Sequence, residues 1–247
     1  MRSTAVWSSR SRRLLERSFS EKRPSLLSRA GPFFTNPLKQ MIFAAAYQAQ
    51  DGFYRRAKRE GYRSRAAYKL LELNRRFHLI KPGDRVVDLG CAPGGWLQVA
   101  SQLAGAKGRV IGIDIQPVEP VKEGNVFRIQ GDLTSGDSQR RIEELLGSRA
   151  DCVLSDLSPR LSGIRDRDLS RSLALVQLAF RIVARFLRRG GHFLVKTFEG
   201  EGTRDFYREL EQRFDSLQRA RPEATRKGSS EIYLVARGFK ADPNDLP

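Results

Sequence analysis

The stretch Val86-Val87-Asp88-Leu89-Gly90-Cys91-Ala92-Pro93-Gly94-Gly95-Trp96 constrains this chain more than any other. A hydrophobic run ends in a glycine-rich turn, and a helical pattern opens directly after it. Turns of that kind, at the carboxyl end of a strand in an open α/β sheet, are where ligands bind. Glycine allows the backbone to turn, and to approach a neighbour, where a Cβ would clash.

The surrounding pattern agrees with an α/β fold. Apolar runs at 85–89, 109–113, 126–129, 151–155, 192–196 and 231–236 alternate with helical patterns at 64–77, 96–103, 140–146, 169–187 and 203–214. Strands interleaved with helices predict a mostly parallel sheet. Ser64 is placed to cap the first helix, which brings Leu70, Leu71, Asn74 and Phe77 near one face. Gly190-Gly191 is placed to stop the helix over 169–187. A chain of 247 residues accommodates one such domain plus an extension. The apolar stretch at 42–47 is far shorter than the roughly 18 residues of a membrane span.

The loop spacing is not Gly-x-Gly-x-x-Gly, so a dinucleotide pyrophosphate is not called for, and a dehydrogenase is disfavoured. Pro93 also lacks an N–H that could face a phosphate. Three acids end three successive strands: Asp88, Asp114 and Asp132. Asp114 is placed where an acid accepts hydrogen bonds from ribose hydroxyls. The three acids together suit a nucleoside-type cation better than a nucleotide anion. S-adenosylmethionine combines adenine, ribose, a sulfonium and an amino acid, and so has that chemistry.

Residues 1 to 50 differ in character. The first forty hold nine Lys/Arg and only two acids, with frequent serines and with Pro24, Pro32 and Pro37 breaking any long helix. This reads as a largely disordered basic extension ahead of a domain over 51–247. Three origins stay open: an organelle transit peptide, a basic RNA-binding arm, or a start at Met41. A secretory signal is disfavoured because no apolar core follows the charges. Cys91 and Cys152 indicate neither a disulfide framework nor a zinc site. With no His/Cys cluster no metal is expected, and His78 and His192 read as structural.

Several motifs in order resemble the FtsJ/RrmJ family of ribose 2′-O-methyltransferases. They are Asp88-Leu-Gly-Cys-Ala-Pro-Gly-Gly-Trp96, the preceding Tyr62-Arg-Ser-Arg-Ala-Ala-Tyr-Lys-Leu70, and Val153-Leu-Ser-Asp-Leu-Ser-Pro159. Leu194-Val-Lys-Thr-Phe198 and Ser229-Ser-Glu-Ile-Tyr233 continue the likeness, which spans about residues 51 to 240. Cys91 departs from the commoner alanine but is small and apolar.

The resemblance implies a Rossmann-like fold with a seven-stranded, mostly parallel sheet and one antiparallel strand; local patterns alone show about six strands. It implies a catalytic set of Lys69, Asp156, Lys196 and Glu231, and cofactor contacts at Gly94, Trp96, Asp114, Asp132 and Asp156, with Asp88 added from the residue reading. The cofactor implied is S-adenosylmethionine. The chain is similar to bacterial members that methylate a uridine ribose in large-subunit rRNA, and to their mitochondrial relatives. A monomer in a bacterial cytoplasm is expected, with a mitochondrial matrix as the alternative. A tRNA or mRNA-cap ribose methyltransferase would carry the same site. A non-catalytic RNA-binding assembly factor would be favoured by loss of one of the four charged residues, and none is lost.

A ribose 2′-hydroxyl is a poor nucleophile and must lose its proton as it attacks. Lys196 is assigned as base or hydroxyl-positioning group, tuned by Asp156, Lys69 and Glu231. A lysine acts as a base when burial or a neighbouring cation lowers its pKa, while the two acids pull the other way. The net charge of +17 favours a polyanionic partner. The segment 54–65 is dense in cations with two tyrosines interleaved, so Arg55, Arg56, Lys58, Arg59, Arg63 and Arg65 are candidate RNA contacts. Arg160, Arg165 and Arg167 extend that patch.

Overall fold

The computed structural model describes residues 52–159, 162, 164–200, 203–226 and 228–240. The basic extension read at 1–50 and Arg160 lie outside the described residues. The elements are α1 (Gly52–Arg59), α2 (Ala67–Phe77), β1 (Arg85–Leu89), α3 (Gly95–Ala104), β2 (Arg109–Asp114), β3 (Val126–Gln130) and α4 (Gly136–Leu146). After them come β4 (Ala150–Ser155), α5 (Arg165–Phe186), β5 (Leu187–Phe198), α6 (Thr203–Arg213), β6 (Phe214–Ala220) and β7 (Glu231–Phe239).

The seven strands form one sheet in the order β3-β2-β1-β4-β5-β7-β6. β1 to β5 run parallel, and β7 is antiparallel to both β5 and β6. From β1 the chain winds outward through β2 and β3, then returns to add β4 on the other side. That reversal opens a crevice at the carboxyl ends of β1 and β4, where ligands of open α/β sheets sit.

Helices cover both faces, so the central strands are apolar on both sides. On one face Leu70, Leu73, Leu97 and Ala100 of α2 and α3 pack on Val86, Val110, Leu154, Leu194 and Val235. On the other, Ile142, Leu146, Val176, Phe180, Phe206 and Leu210 of α4, α5 and α6 pack on Val87, Ile111, Val153, Phe193 and Leu234. Among the described residues no helix is long and apolar enough to cross a membrane.

Three local expectations change. β6 is a seventh strand where the sequence pattern carried the preceding helix to Phe214. It is an edge strand paired only with β7, and its burial is confined largely to its ends, so it shows no strong apolar alternation. Ser64 is not a helix cap: α2 starts at Ala67 after a helical Ala66. Its buried face is Leu70, Leu73, Asn74 and Phe77, with Leu71 only half-buried. Gly190-Gly191 does not stop α5. That helix ends at Phe186, Leu187 is already extended, and Leu187 pairs with Ala150 across an irregular register. Gly190, at φ 76°, lies inside the irregular start of β5.

Candidate active site

Strand register assembles the charged centre. In the antiparallel β5–β7 pair, Lys196 stands opposite Tyr233, and Phe198 opposite Glu231. Side chains two apart on a strand share a face, so Glu231 and Tyr233 point the same way, toward α2. There Lys69, itself buried, donates from Nζ to Glu231 Oε1 at 2.5 Å and to the Tyr233 hydroxyl at 3.2 Å. Tyr233 in turn donates to Asp156 Oδ1 at 2.8 Å. Lys196 Nζ lies 2.7 Å from the Asp156 carbonyl oxygen and 3.1 Å from its Oδ1. The result is one connected line, Glu231–Lys69–Tyr233–Asp156–Lys196. The two lysines do not share a contact: each has its own carboxylate, and Tyr233 joins the halves. Burial, the Asp156 and Glu231 charges and the bond to Asp156 hold the Tyr233 phenol well above its usual range, so it is a neutral donor.

Tyr233 ends the Ser229–Tyr233 motif, and the motif by itself gives it no role. The signal that could have found it is strand alternation, which places it on the face of Glu231.

Beside this line is a cavity of about 140 Å³, lined by Ser64, Ala66, Asp88, Gly90, Cys91, Ala92, Pro93, Gly95, Trp96 and Asp156. Asp88 sits on the α2–α3 face of β1, between Gly112 and Leu154 in the register. Neither neighbour offers a polar side chain. Asp88 is fully buried, and neither carboxylate oxygen has a hydrogen-bond partner. Burial first, then the like charges of Asp156 and Asp114, raises its carboxyl well above the ordinary range. A buried acid without a partner is costly, so the cavity suits a ligand that brings a cation or a donor.

Of the other expected cofactor residues, Trp96 and Asp156 also line this cavity, while Gly94, Asp114 and Asp132 do not. Trp96 donates from Nε1 to the Ala66 carbonyl at 2.8 Å, and its ring lies 5.9 Å from that of Tyr233. Asp114 grips the loop, accepting from the Ala92 N–H at 2.9 Å and the Gln116 N–H at 2.8 Å. Asp132 is exposed and accepts from the backbone and hydroxyl of Thr134, which lower its pKa.

The glycines of the loop make room for protein. A Cβ on Gly95 would stand 2.3 Å from Ser64 Oγ, and one on Gly90 would stand 2.4 Å from Leu157 Cδ2. The two cysteines are free and buried, and burial raises both thiols. His78 ends α2 in the left-handed region, and burial lowers the pKa of His192. Among the described residues no group of three His, Cys, Asp or Glu could hold a metal.

The FtsJ-like methyltransferase sequence model matches residues 62–239. The chain belongs to that family. It is 47% identical over 198 residues, 80% of this chain, to the ribosomal RNA large subunit methyltransferase E of Methanothrix thermoacetophila, covering 76% of that protein. The protein of that name from Marinobacter nauticus is 46% identical, with 77% of this chain and 91% of the relative covered. A crystal structure named for a ribosomal RNA methyltransferase of Plasmodium falciparum superposes with a TM-score of 0.65 at 30% identity, covering 72% of this chain and 98% of that one.

In this member of the FtsJ-like family the six cations expected to meet RNA divide into two groups. Arg55, Lys58 and Arg59 are exposed on α1. The other three have partners within the protein. Arg56 pairs with Glu60 at 2.8 Å and lies over the Tyr68 ring. Arg65 donates to the Ala224 carbonyl and lies over Phe53. Arg63 bonds three backbone carbonyls, those of Pro93, Glu119 and Pro120. Arg167 is exposed; for Arg165 only the backbone is described.

Proposed function

We propose that this chain transfers the methyl group of S-adenosylmethionine to a ribose 2′-hydroxyl of RNA, within large-subunit rRNA and at a uridine. The observation that carries this reading is the partnerless buried carboxylate of Asp88, in a cavity that is also lined by Asp156 of the lysine–carboxylate line. A bound S-adenosylmethionine supplies an electrophilic methyl group on a sulfonium.

Asp88 would hold the amino group of the methyl donor, and Asp156 would favour its positive charge. Asp114, at the end of β2, would take the ribose hydroxyls. An ammonium has three donors; on Lys196 two of them face the oxygens of Asp156. The remaining one is left for the 2′-hydroxyl, so Lys196 orients that oxygen, or in its free-amine form takes its proton. Lys69, Tyr233 and Glu231 fix Asp156 in place and hold the pair rigid. Orienting the reactants and accepting the proton are each large contributions to rate.

The RNA-facing surface is α1 with Arg55, Lys58 and Arg59. It packs through Ala57 on Tyr68, the residue next to Lys69. Cations in that place hold phosphates with little sequence information, so a nucleotide within the structured subunit would be selected by shape as well as by base. The homologues named for the large-subunit RNA support that substrate, and the bacterial one among them supports a cytoplasmic setting.

The test is methyl transfer from labelled S-adenosylmethionine to unmethylated large ribosomal subunits, with isolated rRNA and tRNA in parallel and a Lys196→Ala control. Label recovered as a 2′-O-methyl ribose in subunit rRNA, and lost in the variant, is the expected result. Label only on tRNA moves the substrate assignment. No label on any RNA, with the methyl donor still bound, defeats the enzyme reading.

A further inference from the structure

Arg63 stands in the cation-rich segment, yet its half-buried side chain lies on the backbone of two loops. Nη1 donates to Glu119 O at 2.7 Å and to Pro93 O at 3.3 Å, and Nη2 donates to Pro120 O at 2.5 Å. Pro93 lies in the glycine loop that closes one side of the Asp88 cavity. Glu119 and Pro120 lie in the loop that leaves β2 after Asp114. The backbone of Arg63 is pinned too, its N–H donating to Gln98 Oε1 of α3 at 2.9 Å. Gly94 fits beneath this clasp: at φ 104° its missing Cβ leaves Arg63 Nη1 2.7 Å away and Val118 Cγ1 3.2 Å away.

Among the side-chain hydrogen bonds of the described residues, those of Arg63 and Asp114 reach both loops, Asp114 through the Ala92 and Gln116 N–H groups, while Val118 adds an apolar contact beside Gly94. We infer that Arg63 is a positioning residue for the methyl donor, a clasp that holds the glycine loop and the β2–β3 loop together, and is not an RNA contact. The inference rests on the cofactor reading given above. A planar guanidinium can reach three carbonyls at once because its donors form a fixed fork. Lysine also has three donors, but all on one nitrogen, so it cannot span carbonyls that Arg63 meets with two separate nitrogens. Hydrogen bonds to a charged group are stronger than neutral ones, so losing the fork frees from the β2–β3 loop the glycine loop that lines the Asp88 cavity. The same segment carries the exposed cations of α1, so RNA binding and donor binding share this one short stretch of chain.

The experiment compares wild type, Arg63→Lys and Arg63→Ala. Calorimetry measures S-adenosylmethionine binding without RNA, and a filter assay measures RNA affinity against salt. Thermal melts show that both variants are folded. The expected result is donor binding weakened by about ten-fold or more in both variants, with KM for the donor raised, and RNA affinity and its salt slope unchanged. Donor affinity within about two-fold of wild type, with the RNA salt slope reduced by about one, makes Arg63 a phosphate contact and overturns the clasp. No change in either affinity overturns it as well. If Arg63→Ala melts before binding can be read, Arg63→Lys decides, since it keeps the charge and the aliphatic stem. Wild type failing to bind the donor defeats the cofactor reading itself, which separates the two failures.

Discussion

Lys196 and Tyr233 face each other across the antiparallel β5–β7 register, and Asp156 Oδ1 bonds both of them. A neutral phenol therefore stands between two ion pairs that would otherwise be separate. Tyr233→Phe removes the hydroxyl and keeps the ring. Lys69 then keeps only Glu231, and Asp156 loses one of its donors. Turnover is expected to fall roughly ten-fold, the effect of one hydrogen bond to a charged group, with KM for S-adenosylmethionine unchanged. Steady-state kinetics checks this; an unchanged kcat shows the two halves act independently.

The Lys69–Glu231 pair is largely buried, at 11% and 14% side-chain exposure. Removing one partner leaves a buried charge without its counter-ion. Lys69→Met or Glu231→Gln alone is expected to cost about 3–5 kcal/mol of stability. The double variant recovers most of that, because neither charge remains. Denaturant titration of all four proteins measures the coupling, and strict additivity of the single effects refutes it.

Asp88 gives a pH signature whose sign is fixed. Its carboxyl is raised in the folded state by burial and by Asp156 and Asp114. A group raised in this way contributes stability below its unfolded pKa, and that contribution is lost as pH rises through the folded value. Donor-free protein should therefore weaken across the window above the ordinary carboxylate range. Binding an amino cation demands the ionised form, so in that window binding releases a proton and affinity rises with pH. Asp88→Asn is expected to bind S-adenosylmethionine poorly while remaining as stable as wild type at neutral pH. Calorimetry in buffers of differing ionisation enthalpy reads the proton; its absence removes Asp88 from the donor site.

Gly95 and Ser64 are in direct steric competition. Gly95→Ala places a methyl carbon 2.3 Å from Ser64 Oγ and should destabilise the loop by about 1–3 kcal/mol. Gly95→Ala combined with Ser64→Ala removes the clashing oxygen and should restore most of the melting temperature. Additive losses in the double variant would show that the clash lies elsewhere.

Replacing Arg55, Lys58 and Arg59 by alanine should weaken RNA binding uniformly across sequences. The salt slope should drop by up to about three for single-charge phosphate contacts. S-adenosylmethionine affinity should stay as it is. An unchanged slope sends the RNA to another face.

Much of this was legible in the chain itself. The positions of β1, β2, β4, β5 and β7 follow from apolar runs, because strands buried on both faces need apolar side chains almost throughout; β3, at the sheet edge, kept an apolar run although only Ile129 is buried. β6 was not legible, since it is paired on one side and its burial is confined largely to its ends, which leaves no apolar run to read. Lys69, Asp156, Lys196 and Glu231 were found through ordered motifs, and the fold brings them into one line. Charge density over 54–65 could not show that Arg63 sets its guanidinium on three backbone carbonyls, because local composition says nothing about where a guanidinium points.

The sequence by itself determined the α/β class, the glycine loop and the inventory of charged groups, since each is written in local spacing and residue type. The tertiary structure decided which charges meet. Glu231 and Lys69 are far apart along the chain, and only the β5–β7 register and the packing of α2 bring their side chains to 2.5 Å. It also decided that Asp88 has no partner, because its neighbours in the sheet come from β2 and β4, and neither presents a donor.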